Sequence, residues 1–81
     1  MSLGEGVEAS AEKAAGLYRK GANNNNAVAQ YNLGVMTLYG QGGLDQDTVR
    51  AKALFKLAAD QGYDEAATAL AKLEEAGVNE E

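Results

Sequence analysis

Histidine and cysteine are both missing from this chain of 81 residues. They are the side chains that most often serve as general base, nucleophile and metal ligand near neutral pH. A serine nucleophile would have to be Ser2 or Ser10, the first close to the amino terminus and the second placed as a helix cap. The run Gly40-Gln41-Gly42-Gly43 follows a helical segment and lacks the Lys-Ser/Thr ending of a phosphate-cradling loop. Asp45 and Asp47 suggest the start of a calcium loop, but its later oxygen ligands and its final glutamate are absent. No catalytic residue, metal site or cofactor is expected, which leaves recognition as the chemistry to look for.

Charge narrows the partners. Seven Lys and Arg against twelve Asp and Glu give a formal net charge of −5. A nucleic-acid binder needs a basic footprint to neutralise phosphates, so nucleic acid is disfavoured. No apolar run approaches the length of a membrane span, and no signal-peptide core opens the chain. The absence of cysteine rules out disulfides and leaves the redox compartment, and with it the localisation, open. Met1-Ser2-Leu3 reads as an expression leader, and Asn79-Glu80-Glu81 as an acidic tail that is solvated, as such charge runs usually are.

Helices must position whatever does the recognising. Proline is absent, alanine is abundant, and ten glycines mark most of the breaks. The first segment spans about Ser10 to Ala22, with Ser10 as N-cap and Ala11, Ala14, Leu17, Tyr18 and Gly21 on one stripe. Asn23 to Asn26 form a tight turn, since asparagine tolerates the left-handed conformation and caps the next helix well. The second segment, about Asn26 to Tyr39, carries two stripes: Ala29, Leu33, Met36 and Gly40, and beside them Tyr31, Val35 and Leu38. A helix apolar over more than half its girth belongs in the middle of a stack. The third segment runs from about Asp47 to Gln61, capped by Asp47 or Thr48, with Ala51, Leu54, Phe55, Ala58 and Ala59 buried and Gly62 as the stop. The fourth runs from about Asp64 to Ala76 and ends at Gly77, with Asp64 and Glu65 at the positive end of its dipole. No segment alternates with the period of a strand, so the fold is all-α.

Shifting the chain by 37 positions superposes it on itself. Ala14 falls on Ala51, Leu17 on Leu54, Tyr18 on Phe55, Ala22 on Ala59, Ala29 on Ala66, Leu33 on Leu70 and Gly40 on Gly77. Small residues also match small ones: Gly16 with Ala53, Gly21 with Ala58, Gly34 with Ala71. A helix pair whose contact faces are copied is the mark of a repeat protein, in which each unit buries its face on its neighbour. Ala29-Gln30-Tyr31-Asn32-Leu33-Gly34-Val35-Met36 resembles helix A of the Sel1-like repeat, a relative of the tetratricopeptide repeat. Ala51 to Gly62 resembles its helix B. Gly4-Glu5-Gly6-Val7 looks like the loop between the two helices, and Gly77-Val78 like the start of another.

The resemblance implies antiparallel helix pairs stacked as a short right-handed α-solenoid, four helices in the order B-A-B-A, over residues 4–78. There are departures from the pattern: the helix-A tyrosine is replaced by Thr37 and Glu74, and the Gly40-to-Leu44 loop carries an extra glycine. Glu74 on a normally buried stripe reads as the polar outer face of a terminal repeat. In this family the A helices line a concave face where partners dock, which places Tyr31, Asn32, Val35, Tyr39, Thr68 and Lys72 at a partner-binding surface. The plain alternative is that Tyr31 and Val35 pack against their neighbours and Asn32 is solvated. The function implied is a non-catalytic protein–protein interaction module with a peptide or protein partner. A second reading is structural: a piece of a longer solenoid that stacks or weakly self-associates through Val7, Leu17 and Tyr18. An enzyme has only the support that some relatives bind small ligands, and those are stapled by disulfides that this chain cannot form.

Overall fold

A computed structural model describes residues 3–76, with side chains from Ser10 to Ala76. It contains four helices: α1 (Leu3–Asn23), α2 (Ala27–Tyr39), α3 (Thr48–Asp60) and α4 (Asp64–Glu75). No strand occurs among the described residues. Gly77, expected to stop α4, Val78 and the acidic tail lie outside them, as do Met1 and Ser2.

The turns behave as their residues dictate. Asn25 takes the left-handed conformation (φ 68°), and the Asn26 carboxamide oxygen accepts from the Ala29 amide at 3.0 Å, capping α2. Gly40 ends α2 in the left-handed region, which glycine enters without a Cβ penalty. Of the two candidate caps of α3, Asp47 does the work: its carboxylate accepts from the Arg50 amide at 3.0 Å. The Asp47 amide donates to the Thr37 carbonyl at 2.9 Å, tying the start of α3 to the end of α2. At the other end of the pair, the Gln61 side chain donates to the Asn25 carbonyl at 2.9 Å. Helices α2 and α3 are therefore antiparallel.

Two expectations for α1 are corrected. Gly4-Glu5-Gly6-Val7 is not a loop; α1 starts at Leu3, and Ser10 lies exposed within it, not at a cap. Glycine inside a helix costs about 1 kcal/mol relative to alanine but removes no hydrogen bond, so the helix can run through Gly4 and Gly6. Leu17, on the apolar stripe of this segment, is 68% exposed, and Ala15, off that stripe, is buried. Gly42 explains the exchange: it comes down onto α1, and a Cβ on it would lie 2.7 Å from the Ala11 carbonyl oxygen and 3.1 Å from the Ala15 methyl.

Helix α2 lies in the middle. On one side Ala29, Leu33 and Met36 are buried along with Ala15 of α1, and on the other α2 packs against α3 over its most extensive contact. The core proper joins Ala51, Phe55 and Ala58 of α3 to Ala66 of α4, with Tyr31, Val35, Leu38, Tyr63, Leu70 and Leu73 packed around it. Both faces depend on missing side chains. A Cβ on Gly21 would lie 2.7 Å from the Ala29 methyl, and one on Gly34 would lie 2.7 Å from the Phe55 ring. Gln30 of α2, unanticipated in the core, is 2% exposed. Its carboxamide donates to Asn25 Oδ1 at 3.3 Å and accepts from Gln61 Nε2 at 3.1 Å, so its burial leaves no polar atom unsatisfied.

These contacts set opposite expectations for two glycines. Gly34→Ala forces the buried Phe55 ring to move, an overpacking that typically costs about 1–3 kcal/mol, and should lower the urea midpoint despite alanine's better helix propensity. Gly16→Ala meets nothing within 4 Å and should raise the midpoint by up to about 1 kcal/mol of stability. Asp47→Ala should cost about 1 kcal/mol, and Asp47→Asn, which keeps a capping oxygen, much less; thermal melts of the two variants check this.

Candidate functional site

Helices α2 and α4 flank a cleft floored by α3. Its first hollow, about 270 Å³, is lined by Tyr31, Val35, Leu38 and Tyr39 of α2, Phe55 of α3, and Ala69, Lys72 and Leu73 of α4. The second, about 310 Å³, is lined by Tyr31, Asp64, Glu65, Thr68, Ala69 and Lys72. Tyr31, Ala69 and Lys72 border both hollows, so the two adjoin along the cleft, the first largely apolar and the second carrying the carboxylates Asp64 and Glu65.

Each wall follows from helical spacing. Tyr31, Val35 and Tyr39 recur every fourth residue along α2, and Asp64, Thr68 and Lys72 do the same along α4, so each set forms one ridge. The Tyr31 ring is wedged between Phe55 (centroids 5.6 Å apart) and Tyr63 (5.4 Å). Such tilted aromatic pairs contribute beyond their buried area and hold the ring in place. Tyr63 donates its hydroxyl to Glu65 Oε1 at 3.0 Å, which orients that carboxylate. Accepting this bond and lying close by, the Glu65 carboxylate holds the Tyr63 phenol above its ordinary pKa; partial burial adds to the shift.

Five of the six residues expected at a partner-binding surface, Tyr31, Val35, Tyr39, Thr68 and Lys72, line this cleft. Asn32 lines neither hollow. Tyr39 is 62% exposed, whereas Tyr31 and Val35 are half-buried and also pack against the core, so the plain structural reading holds for them in part. Leu17 and Tyr18 lie on α1, away from the cleft, and the side chain of Val7 is outside the described residues. Leu38, Leu73, Asp64 and Glu65 were not anticipated as cleft residues. The signal that could have found them is the repeat itself, because residues on facing ridges of consecutive A helices must border a common groove.

A larger depression, about 640 Å³, opens on the opposite side between α1 and α3, over Gln30, Leu33 and Thr37 of α2. Sequence reading gave no hint of it. Arg19 and Arg50 stand among its walls with Asp45 and Asp47, and its buried polar floor is already satisfied, with Thr37 Oγ1 donating to the Leu33 carbonyl at 2.8 Å. Among the described residues no group of three acidic, histidine or cysteine side chains is placed to hold a metal ion, and no helix is long and apolar enough to cross a membrane.

No curated protein and no solved structure matches this chain. The family model of the Sel1 repeat matches residues 1–26 and again residues 27–63. The second match takes in α2, the glycine loop and α3, a complete A–B helix pair, and the first covers α1 with the asparagine turn. Sel1 repeats are typically non-catalytic scaffolds that bind protein partners. With the copied helix pair, the glycines at the helix contacts and both matches in agreement, the chain belongs to the Sel1 repeat family.

Proposed function

We propose that this chain is a protein-interaction module that receives a peptide or a partner's segment in the cleft between α2 and α4. The observation that carries the reading is the composition of that cleft. It exposes Tyr39 and leaves Tyr31, Val35, Leu38 and Leu73 only partly covered, with Asp64, Glu65, Thr68, Lys72 and the tyrosine hydroxyls as its polar groups. Apolar surface with a few placed polar groups is the usual make-up of a binding groove. Tyrosine suits such a surface, offering area with a polar tip and few rotors to freeze.

A partner captured by the immobilised chain should be lost, by tenfold or more in affinity, on Tyr39→Glu. That position is exposed enough for the substitution to leave the fold intact. Leu17→Glu, on the far side of the molecule, should leave capture unchanged. Capture that survives Tyr39→Glu and fails with Leu17→Glu would move the binding surface to α1.

One observation favours a second reading, stacking through α1. Leu17 and Tyr18 occupy the repeat positions of Leu54 and Phe55, yet Leu17 is exposed where Leu54 is half-buried, and Tyr18 is half-buried where Phe55 is 1% exposed. In α3 those positions are covered by α2, since Gly34 abuts both Leu54 and Phe55. Sedimentation equilibrium distinguishes the readings: self-association that rises with concentration and disappears in Leu17→Glu supports stacking, and a monomer at all concentrations removes it.

A further inference from the structure

We infer that the cleft selects a peptide with one basic side chain and one bulky apolar side chain, held three to four residues apart in extended conformation. This inference rests on the cleft being the docking site and adds what occupies it.

Charge and shape divide the cleft into two unlike ends. At the acidic end, Asp64 and Glu65 line a hollow bordered by the Tyr31 ring. The only ion pair among the described residues is Lys56–Asp60, so both carboxylates are available to a cation. Glu65 is already aimed by the hydroxyl of Tyr63, and an ionised carboxylate has acceptor sites left after taking one hydrogen bond. Tyr31, whose ring lies 5.4 Å from that of Tyr63, borders the same hollow. At the other end Val35, Leu38, Phe55 and Leu73 form an apolar hollow with no carboxylate in its lining.

Lys72 stands where the hollows meet. Its ammonium borders both hollows, so the preference of a basic side chain for one end comes from Asp64 and Glu65, which line the second hollow and not the first. From Glu65 to Leu73 is eight residues of helix, about 12 Å at 1.5 Å per residue. An extended chain rising about 3.3 Å per residue covers this distance in three to four residues, which sets the spacing. Paired opposite charges here would contribute mainly to specificity and to association rate, and should be screened by salt.

A selection of random octapeptides displayed on phage against the immobilised full chain tests this. The expected result is enrichment of peptides carrying Lys or Arg three or four positions from Leu, Ile, Met, Phe or Trp. Fluorescence anisotropy of the selected peptides should show at least tenfold weaker binding to the double variant Asp64→Asn, Glu65→Gln. Thr68→Lys, an exposed substitution that adds a positive charge to the acidic hollow, should weaken binding comparably with an unchanged circular dichroism spectrum. Peptides that lose binding on Tyr39→Glu but carry no basic residue and ignore both acidic-end variants would overturn this inference and leave the cleft as the docking site. Peptides indifferent to every cleft substitution, or no enrichment at all, would overturn both.

Discussion

Helix α2 can lie between two neighbours only because each contact has a side chain missing from one partner. At Gly21 the backbone of α1 comes so near that a methyl there would sit 2.7 Å from the methyl of Ala29. At Gly34 the backbone of α2 itself is overlaid by the ring of Phe55, again 2.7 Å from where a Cβ would be. Interiors are packed at close to crystal density, so such approaches cannot be relaxed locally. Moving Phe55 outward would also shift Tyr31, which packs against it at a tilt, and Tyr63, which packs against Tyr31 in the same way. The wall of the cleft and the packing of the core are thus one arrangement.

The two sides of this layer differ in what they offer. Between α2 and α4 the aromatic and aliphatic side chains that complete the core continue to the surface, so part of their apolar area stays in water. Between α1 and α3 the larger depression ends on Gln30 and Thr37, whose polar atoms are spoken for by Asn25, Gln61 and the Leu33 carbonyl. Burying a hydrogen-bonded amide is tolerable because its partners replace water, but it leaves little for a ligand to gain. The asymmetry is why the cleft, smaller though it is, carries the functional reading. The same Gln30 network ties the asparagine turn to the end of α3, residues far apart in sequence, and so fixes how α2 sits against α3.

Much of this was legible in the sequence, and the reasons are local. Asn26 and Asp47 cap helices through side chains that reach three residues ahead, an interaction needing no tertiary context. The central position of α2 could be read because two apolar stripes on one helix demand two neighbours. The A-helix resemblance placed Tyr31, Val35, Tyr39, Thr68 and Lys72 on one side, where the geometry does bring them together. The start of α1 was illegible because Gly-Glu-Gly-Val has both the glycines of a loop and the family's loop pattern, while helix continuity there breaks no rule. Ala15 is buried by Gly42, a loop residue that no periodicity within α1 could foresee. Gln30 is polar by type, and its burial depends on Asn25 of the preceding turn and Gln61 just beyond α3, partners that only the folded chain brings together.

The dependence of the whole on α2's two close contacts is tested most directly by proton NMR of the chain in solution. Strong cross-peaks are predicted between the Gly34 α-protons and the Phe55 ring, and between the Gly21 α-protons and the Ala29 methyl. The Gly34 α-protons should also be displaced by the ring current of Phe55. Absence of both sets of cross-peaks from a folded, helical sample, with the Phe55 ring in contact elsewhere, would contradict the arrangement of α2 on which the cleft and its proposed partner rest.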